Sequence, residues 1–381
     1  MFYNDASILG VPWETIIKSY RCQLGNKSFS TLEEYGNNFF SYLNGNSKIF
    51  PRSTQKQYFL KQFSQQVSEY KSEARRLYVQ QRIAGVDALD ESAYFAKVIE
   101  KEYDSWKELK DLSTSPEHTP ESIHAEVDDL ILDQIESIAG AMPVDENTKK
   151  NLLEIAVMLI KKDYFGDDYT GIVFAGFGED EHFPVLQHFQ VGGMLLDRLK
   201  RSEPTVEKVS DSHPSVVTPF AQSEMVDTFL EGINPQFSQD LVRNFIGLAL
   251  ELPNTVIDAI SDLSDEQKIR WKSEVENNAK DAISILLDQL QDYRFQRHWL
   301  PVHSALVHLP KDELAHVAEA LVNLNSFQKK VSMDDETVGG PIDVAVISKG
   351  DGLIWIKRKH YFSRELNEHY FNNLVITQGA K

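Results

Sequence analysis

Apolar positions recur along this chain with two periods, and the switches between them predict its elements. An apolar, β-like opening runs into Val11-Pro12-Trp13-Glu14, which reads as a helix start. Proline suits the first helical turn, where its missing N–H costs nothing, and Glu14 suits the positive end of the dipole. Trp13, Ile16, Ile17 and Tyr20 keep helical spacing, and Gly25 stops the run. Thr31-Leu32-Glu33-Glu34 has the form of a capping box and predicts a second helix with the stripe Leu32, Tyr35, Phe39, Phe40 and Leu43, ended by Gly45.

From Ser53 to Leu109 the text is long, polar and helical. Phe59, Phe63, Val67 and Tyr70 recur every three or four residues, which predicts helical hairpins with modest apolar faces. A Ser/Thr/Pro-rich loop follows at 112–122, then two more helices near 120–139 and 145–164. The period then changes to two. Thr170 to Phe177 reads as a strand, Phe183 to Val191 as its partner across an acidic turn, and Val216 to Phe220 as a third run. Helical text returns from Ser223 to Leu230 and over 236–297, and Lys311 to Asn325 is strongly amphipathic. Ile342–Ser348 and Leu353–Lys357 flank Lys349-Gly350-Asp351-Gly352, a hairpin signal. No internal repeat of fixed period is present. Dispersed strands separated by helical blocks predict one α+β core carrying helical insertions.

Composition narrows the function classes. Among 381 residues the apolar share is 41% and the charged share 25%, an ordinary globular balance. The net charge is −19, which argues against nucleic-acid backbones and anionic membranes as partners. A single cysteine, Cys22, allows no internal disulfide and no cysteine-based zinc site, and suits a reducing cytoplasm. No run approaches the length of a membrane span, and the opening lacks the basic region of a signal peptide.

The candidate motifs are individually weak. Gly176-Phe177-Gly178 fails the dinucleotide pattern, because Glu181 stands where the third glycine belongs and Glu179 and Asp180 would repel phosphate. His298, His303, His308 and His316 are spaced five, five and eight apart, which does not fit one helical face, and Pro301 is expected to break the helix. Cys22 near a helix C-terminus lacks the setting of a low-pKa thiol. No cofactor or metal is expected. Lys357-Arg358-Lys359-His360 reads as a solvated strand end, and Asp335 to Val344 as an acidic turn passing through paired glycines into a strand.

The order of these elements resembles that of proteasome β subunits and their bacterial relatives, the N-terminal-nucleophile (Ntn) hydrolases. VPWETII, TLEEYGNNFF, GIVFAGFG, FPVLQHFQVGG, the helix after PFAQSEM, LPKDELAHVAEAL and GGPIDVAVISKGDG carry the resemblance over residues 1–45, 170–235 and 310–358. Ala175-Gly176 and Gly192-Gly193 stand where the family has its strand-end Ala-Gly pair and glycine turn. The resemblance implies an α+β fold, a four-layer αββα sandwich with two large helical insertions, 51–165 and 236–300, and with the first strand pair missing. The core would comprise 1–45, 170–235 and 310–362, followed by a tail at 363–381.

The family's mechanism implies a terminal Thr, Ser or Cys nucleophile with a supporting lysine and a backbone oxyanion hole. Those parts lie on a strand pair that would precede Phe2 to Arg21, so the chain as given is expected to be an inactive peptidase-like or amidohydrolase-like subunit. Asp335 matches the supporting aspartate of the late loop, with Val338 in place of the family's serine and Thr337, Gly339 and Gly340 in its structural turn. Ser223 falls where the family has Gly-Ser-Gly, and Asn4 or Asp5 where it has the oxyanion glycine. The implied state is a homo-oligomer in the cytoplasm, with a peptide or protein substrate and neither nucleic acid nor membrane as partner. The alternatives are a non-catalytic structural or binding subunit of that family, and a helical adaptor outside it.

Overall fold

A computed structural model describes residues 1–83, 90–113, 119–139, 143–166, 169–221, 223–331, 342–358, 362–363, 365–369 and 372. Among the described residues 62% are helical, and the strands form small antiparallel sheets, a mixed α+β architecture. Internal contacts divide the chain into two compact units, Met1–Lys208 and Val209–Lys381.

The first unit opens with strand β1 (Phe2–Asn4) and a minimal hairpin, β2 (Ser7–Ile8) and β3 (Val11–Pro12), turned at Leu9 and Gly10 with positive φ at both. Helix α1 (Trp13–Leu24) starts at Trp13 and ends at Gly25. Helix α2 (Leu32–Asn44) is capped by the Thr31 side chain, which accepts from the Glu34 N–H. Four longer helices follow: α3 (Arg52–Ile83), α4 (Glu91–Glu108), α5 (Pro120–Ala139) and α6 (Glu146–Lys161). Strands β4 (Thr170–Gly176), β5 (Val185–Leu195), β6 (Arg198–Arg201) and β7 (Thr205–Lys208) complete the unit.

The sheet runs β1-β4-β5-β6, and β7 pairs with the first half of β5. Register places Phe2 opposite Ile172 and Ile172 opposite Phe189, so these side chains share a face. On that face Trp13 and Ile16 of α1 and Phe39, Phe40 and Leu43 of α2 pack against Ile172, Phe189, Val191, Met194 and Leu199. A bulge at Gly192-Gly193 shifts the β5–β6 register.

Helices α3 to α6 build a second core around Phe63, Ile99, Ile123, Ile131, Leu152 and Ile155, and Leu195 of β5 joins it. Inside this core the Trp106 indole N–H donates to the Tyr70 hydroxyl at 2.8 Å, so both polar tips are satisfied. The 51–165 block thus shares one compact unit with the sheet. The sequence pattern does not predict β6 and β7, because their polar text carries little strand signal.

The second unit contains α7 (Glu224–Glu231), α8 (Pro235–Ala259), α9 (Asp265–Arg294), α10 (Leu300–Leu306), α11 (Lys311–Val331) and the hairpin β8 (Val344–Ser348) and β9 (Gly352–Lys357). Pro301 does not break the helix as expected. A π-turn at Phe295–Trp299, closed by the Leu300 N–H on the Phe295 carbonyl, leads α9 directly into α10. The wider turn makes room where a proline ring would clash with an α-helical carbonyl. Val216 to Phe220, expected as a strand, is irregular.

The expected single sheet-containing core requires correction. The strand at 170–176 and the strand at 344–348 lie in different sheets and different units, and the segments 1–45, 170–235 and 310–362 are divided between the units. Among the described residues no four-layer αββα sandwich is shown. Strand pairing is decided by long-range hydrogen bonds, which a list of strands in order does not specify.

Candidate functional site

Of the site residues expected from the resemblance, Asn4, Asp5 and Ser223 lie among the described residues. Asn4 ends β1 and Asp5 follows it, both exposed, in the first unit. The Asp5 carboxylate accepts from the Ser7 N–H at 3.1 Å and from its hydroxyl at 3.4 Å, so Asp5 shapes the β1–β2 turn. An oxyanion hole needs donors aimed at a developing negative charge, and a carboxylate in the turn opposes that charge. Ser223 lies in the second unit at the N-cap of α7, and its hydroxyl makes no capping bond. Asn325 takes that task, accepting from the Met225 N–H at 3.2 Å. Ser223 lines an open groove of about 350 Å³ with Glu224, Asp227, Gln236 and Gln239. These neighbours are acidic or amide and offer no histidine or amine to activate a serine. Asp335, Thr337, Gly339 and Gly340 lie outside the described residues.

Four other polar clusters could carry chemistry. At the start of α2, Glu181 fills the place an anion would take: its carboxylate accepts from Leu32 N–H at 3.0 Å and from Gly178 N–H at 2.7 Å. Gly178 itself sits under the chain, where a Cβ would come within 2.2 Å of the Ser30 carbonyl oxygen. The Gly-Phe-Gly segment is therefore a packing turn that carries its own anion to a helix N-terminus.

On the sheet face opposite α1 and α2, the Tyr3 hydroxyl and His188 Nε2 are 2.6 Å apart, with the rings stacked at 5.6 Å. Burial, then the neighbouring Tyr169, pushes the Tyr3 phenol well above its usual range, and burial pulls His188 down. The pair is neutral at pH 7, with Tyr3 the donor.

Lys200 lines a cleft of about 90 Å³ beside Gln62, Tyr164, Phe165 and Gly192. Its ammonium donates to the Leu159 carbonyl at 2.6 Å and to the Tyr164 carbonyl, and stands 5.0 Å from the Phe165 ring centre. Two donors close the C-terminal end of α6 and the ring faces the rest of the charge, so the lysine acts as a tie.

In the second unit a serine and a histidine meet, Ser215 Oγ lying 2.9 Å from His303 Nδ1. The hydroxyl donates to the His303 carbonyl at 3.1 Å, so it must accept from Nδ1–H. Nδ1 is also 3.2 Å from the Ser215 carbonyl. The imidazole is a donor on that side, the reverse of a general base. Trp299 stacks on it at 3.7 Å, and burial holds its pKa down. Among the described residues no group of three or more potential ligand side chains is placed to hold a metal, and no helix is long and apolar enough to cross a membrane.

The feature that stands out is apolar surface in the second unit. Among its described residues the buried apolar side chains are Val226, Leu230, Ile257, Leu306, Ala315 and Val344, set against a larger number of exposed ones. Along α8, Phe237, Leu241, Phe245, Leu248, Leu252 and Val256 are all exposed. At 3.6 residues per turn they fall within an arc of roughly 100°. A second apolar row, Val242, Ile246, Leu250 and Ile257, is half-buried or buried on another arc of the same helix. The exposed stripe is therefore surplus to it. β9 adds exposed Leu353, Ile354, Trp355 and Ile356. The signal for this surface lies in the sequence: α8 is apolar around more than half its circumference, and one neighbouring helix covers less than that. No family model, no curated protein and no solved structure matches this chain.

Proposed function

We propose that this protein is a non-catalytic protein-binding subunit, with the helical second unit as its docking element. The exposed stripe of α8 carries this reading. Isolated surface leucines need no explanation, but a continuous apolar row along a 25-residue helix favours a partner that removes it from water. The polar clusters support the same reading, because Glu181, Lys200 and the Ser215–His303 pair each act as structural ties.

The first unit is compatible with a distant proteasome-like origin. β1, α1, α2, β4 and β5 follow in the order that the resemblance implies, with α1 and α2 on one sheet face. On this reading the four-layer plan is ancestral, and the chain binds in the cytoplasm without cutting.

The test pairs two measurements on the full chain. With a panel of fluorogenic peptides, turnover should equal that of a Ser223→Ala variant and of buffer. Chemical crosslinking in the source cells should place intermolecular links on α8 and β9. Turnover that disappears in Ser223→Ala would overturn the reading, as would intermolecular links confined to the first unit.

A further inference from the structure

We infer that α8 is a self-association surface, on which a second copy of this chain packs antiparallel to the first. The inference rests on the binding-subunit reading and deepens it by naming the partner.

The argument is the symmetry of the stripe. Antiparallel pairing of a helix with its own copy places each residue opposite its mirror position about one midpoint. Taken about the midpoint between Ile246 and Gly247, Phe237 meets Val256, Leu241 meets Leu252, and Phe245 meets Leu248. Every large exposed apolar residue of the row finds an apolar residue of the second copy. The row thus reads alike in both directions, as an isologous two-fold contact requires and an unrelated partner does not.

Charge and area agree with this occupant. The charged residues of α8 are Asp240, Arg243, Glu251 and Asp258, and helical spacing puts all of them outside the arc of the stripe. A like-charged copy can therefore dock without burying a charge. The net charge of −19 still repels at long range, so this association should tighten as salt rises. A basic partner would show the opposite dependence. Six side chains from each copy, 43 to 61% exposed, offer roughly 100–130 Å² apiece, for a buried total near 1,300 Å². That lies within the range of a specific dimer.

Sedimentation velocity on the full chain should show a species of twice 43.5 kDa, and a larger dimer fraction in high salt than in low salt. At a chain concentration of about 20 µM the dimer should predominate. Leu248 is 61% exposed, so Leu248→Glu should leave far-UV circular dichroism unchanged. It should weaken association by at least ~100-fold, because it buries a carboxylate at the centre of the contact. A second measurement fixes the register. In a Cys22→Ser background, Leu241→Cys/Leu252→Cys should crosslink into covalent dimers with a short bis-maleimide, and the polar-face pair Asp240→Cys/Asp258→Cys should not. A monomeric wild-type chain at these concentrations overturns the inference, as does a dimer indifferent to Leu248→Glu or one crosslinked through the polar face. None of these failures touches the binding-subunit reading, which falls instead on peptide turnover dependent on Ser223.

Discussion

Gln55 allows the sharpest test of how the first unit is held together. β5 and β6 are joined by a two-residue turn, since Leu195 pairs with Arg198. Its residues Leu196 and Asp197 have φ of 52° and 60°. Such turns favour Asn-Gly, because both positions need positive φ, and a Leu-Asp pair costs about 1 kcal/mol or more at each. Gln55, 1% exposed near the start of α3, offsets that cost. Its amide nitrogen donates to the Phe50 carbonyl and to Asp197 Oδ1, both at 2.8 Å, and its amide oxygen accepts from the Asp197 N–H at 3.0 Å. Arg52 Nε adds a bond to Asp197 Oδ2 at 3.0 Å.

Gln55→Leu keeps the volume and deletes three bonds, one of them to a carboxylate. At about 1 kcal/mol for each neutral bond and 1.5–3 for the charged one, the loss is about 3–5 kcal/mol. That is a large share of a typical domain's stability of about 5–15 kcal/mol. Urea titration followed by far-UV circular dichroism measures it, and hydrogen exchange at the β6 amides localises it. The effect should also depend on pH. The Gln55 bond, and then Arg52, hold the Asp197 carboxyl below its usual range. The stabilisation is therefore present above the unfolded pKa of about 4 and fades as pH falls through the lower folded value. The gap between wild type and variant should narrow in acid. A loss under about 1 kcal/mol, or a gap independent of pH, would refute the assignment of Gln55 as the tie of this turn.

Two further outcomes follow from the first unit. Burial pulls the Lys200 ammonium down to about 7, so between that value and about 10.5 the unfolded chain holds a proton the folded chain lacks. Stability should therefore rise with pH across this window. After discounting for solvent at the cleft mouth, wild type should gain about 2–3 kcal/mol on Lys200→Met from pH 7 to about 9.5, read by urea titration at each pH. Gly193 has φ of +109°, and a Cβ there would lie 2.3 Å from the Tyr58 ring. Gly193→Ala should cost about 2–4 kcal/mol and lower Tm, whereas Gly247→Ala, with open space on helix α8, should stabilise by about 0.5–1 kcal/mol.

Local chemistry was legible wherever neighbours in sequence decide it. Val11-Pro12-Trp13-Glu14 announced α1, and Gly25 ended it. Thr31 capped α2 as its spacing required, and Gly350-Asp351-Gly352 turned the β8–β9 hairpin. The Phe59, Phe63, Val67, Tyr70 row gave the buried seam of α3. In each case the deciding interaction spans four residues or fewer, so the periodicity of side chains carries it directly. Pro301 shows the limit of such rules, since a π-turn absorbed the ring that was expected to end the helix.

What only the tertiary structure decided depends on residues far apart in the chain. Strand order suggested one core, yet the strands at 170–176 and 344–348 pair in separate sheets, because backbone hydrogen bonds choose partners by geometry over long loops. The roles of Glu181 at Leu32, Lys200 at Leu159 and Gln55 at Asp197 each join residues more than 40 positions apart, or nearly 150, and no local pattern encodes them. The same holds for α8. Its sequence fixes which positions are apolar, but which row the neighbouring helix covers and which row faces water is settled by packing, since the hydrophobic effect rewards burial against any surface and names no partner.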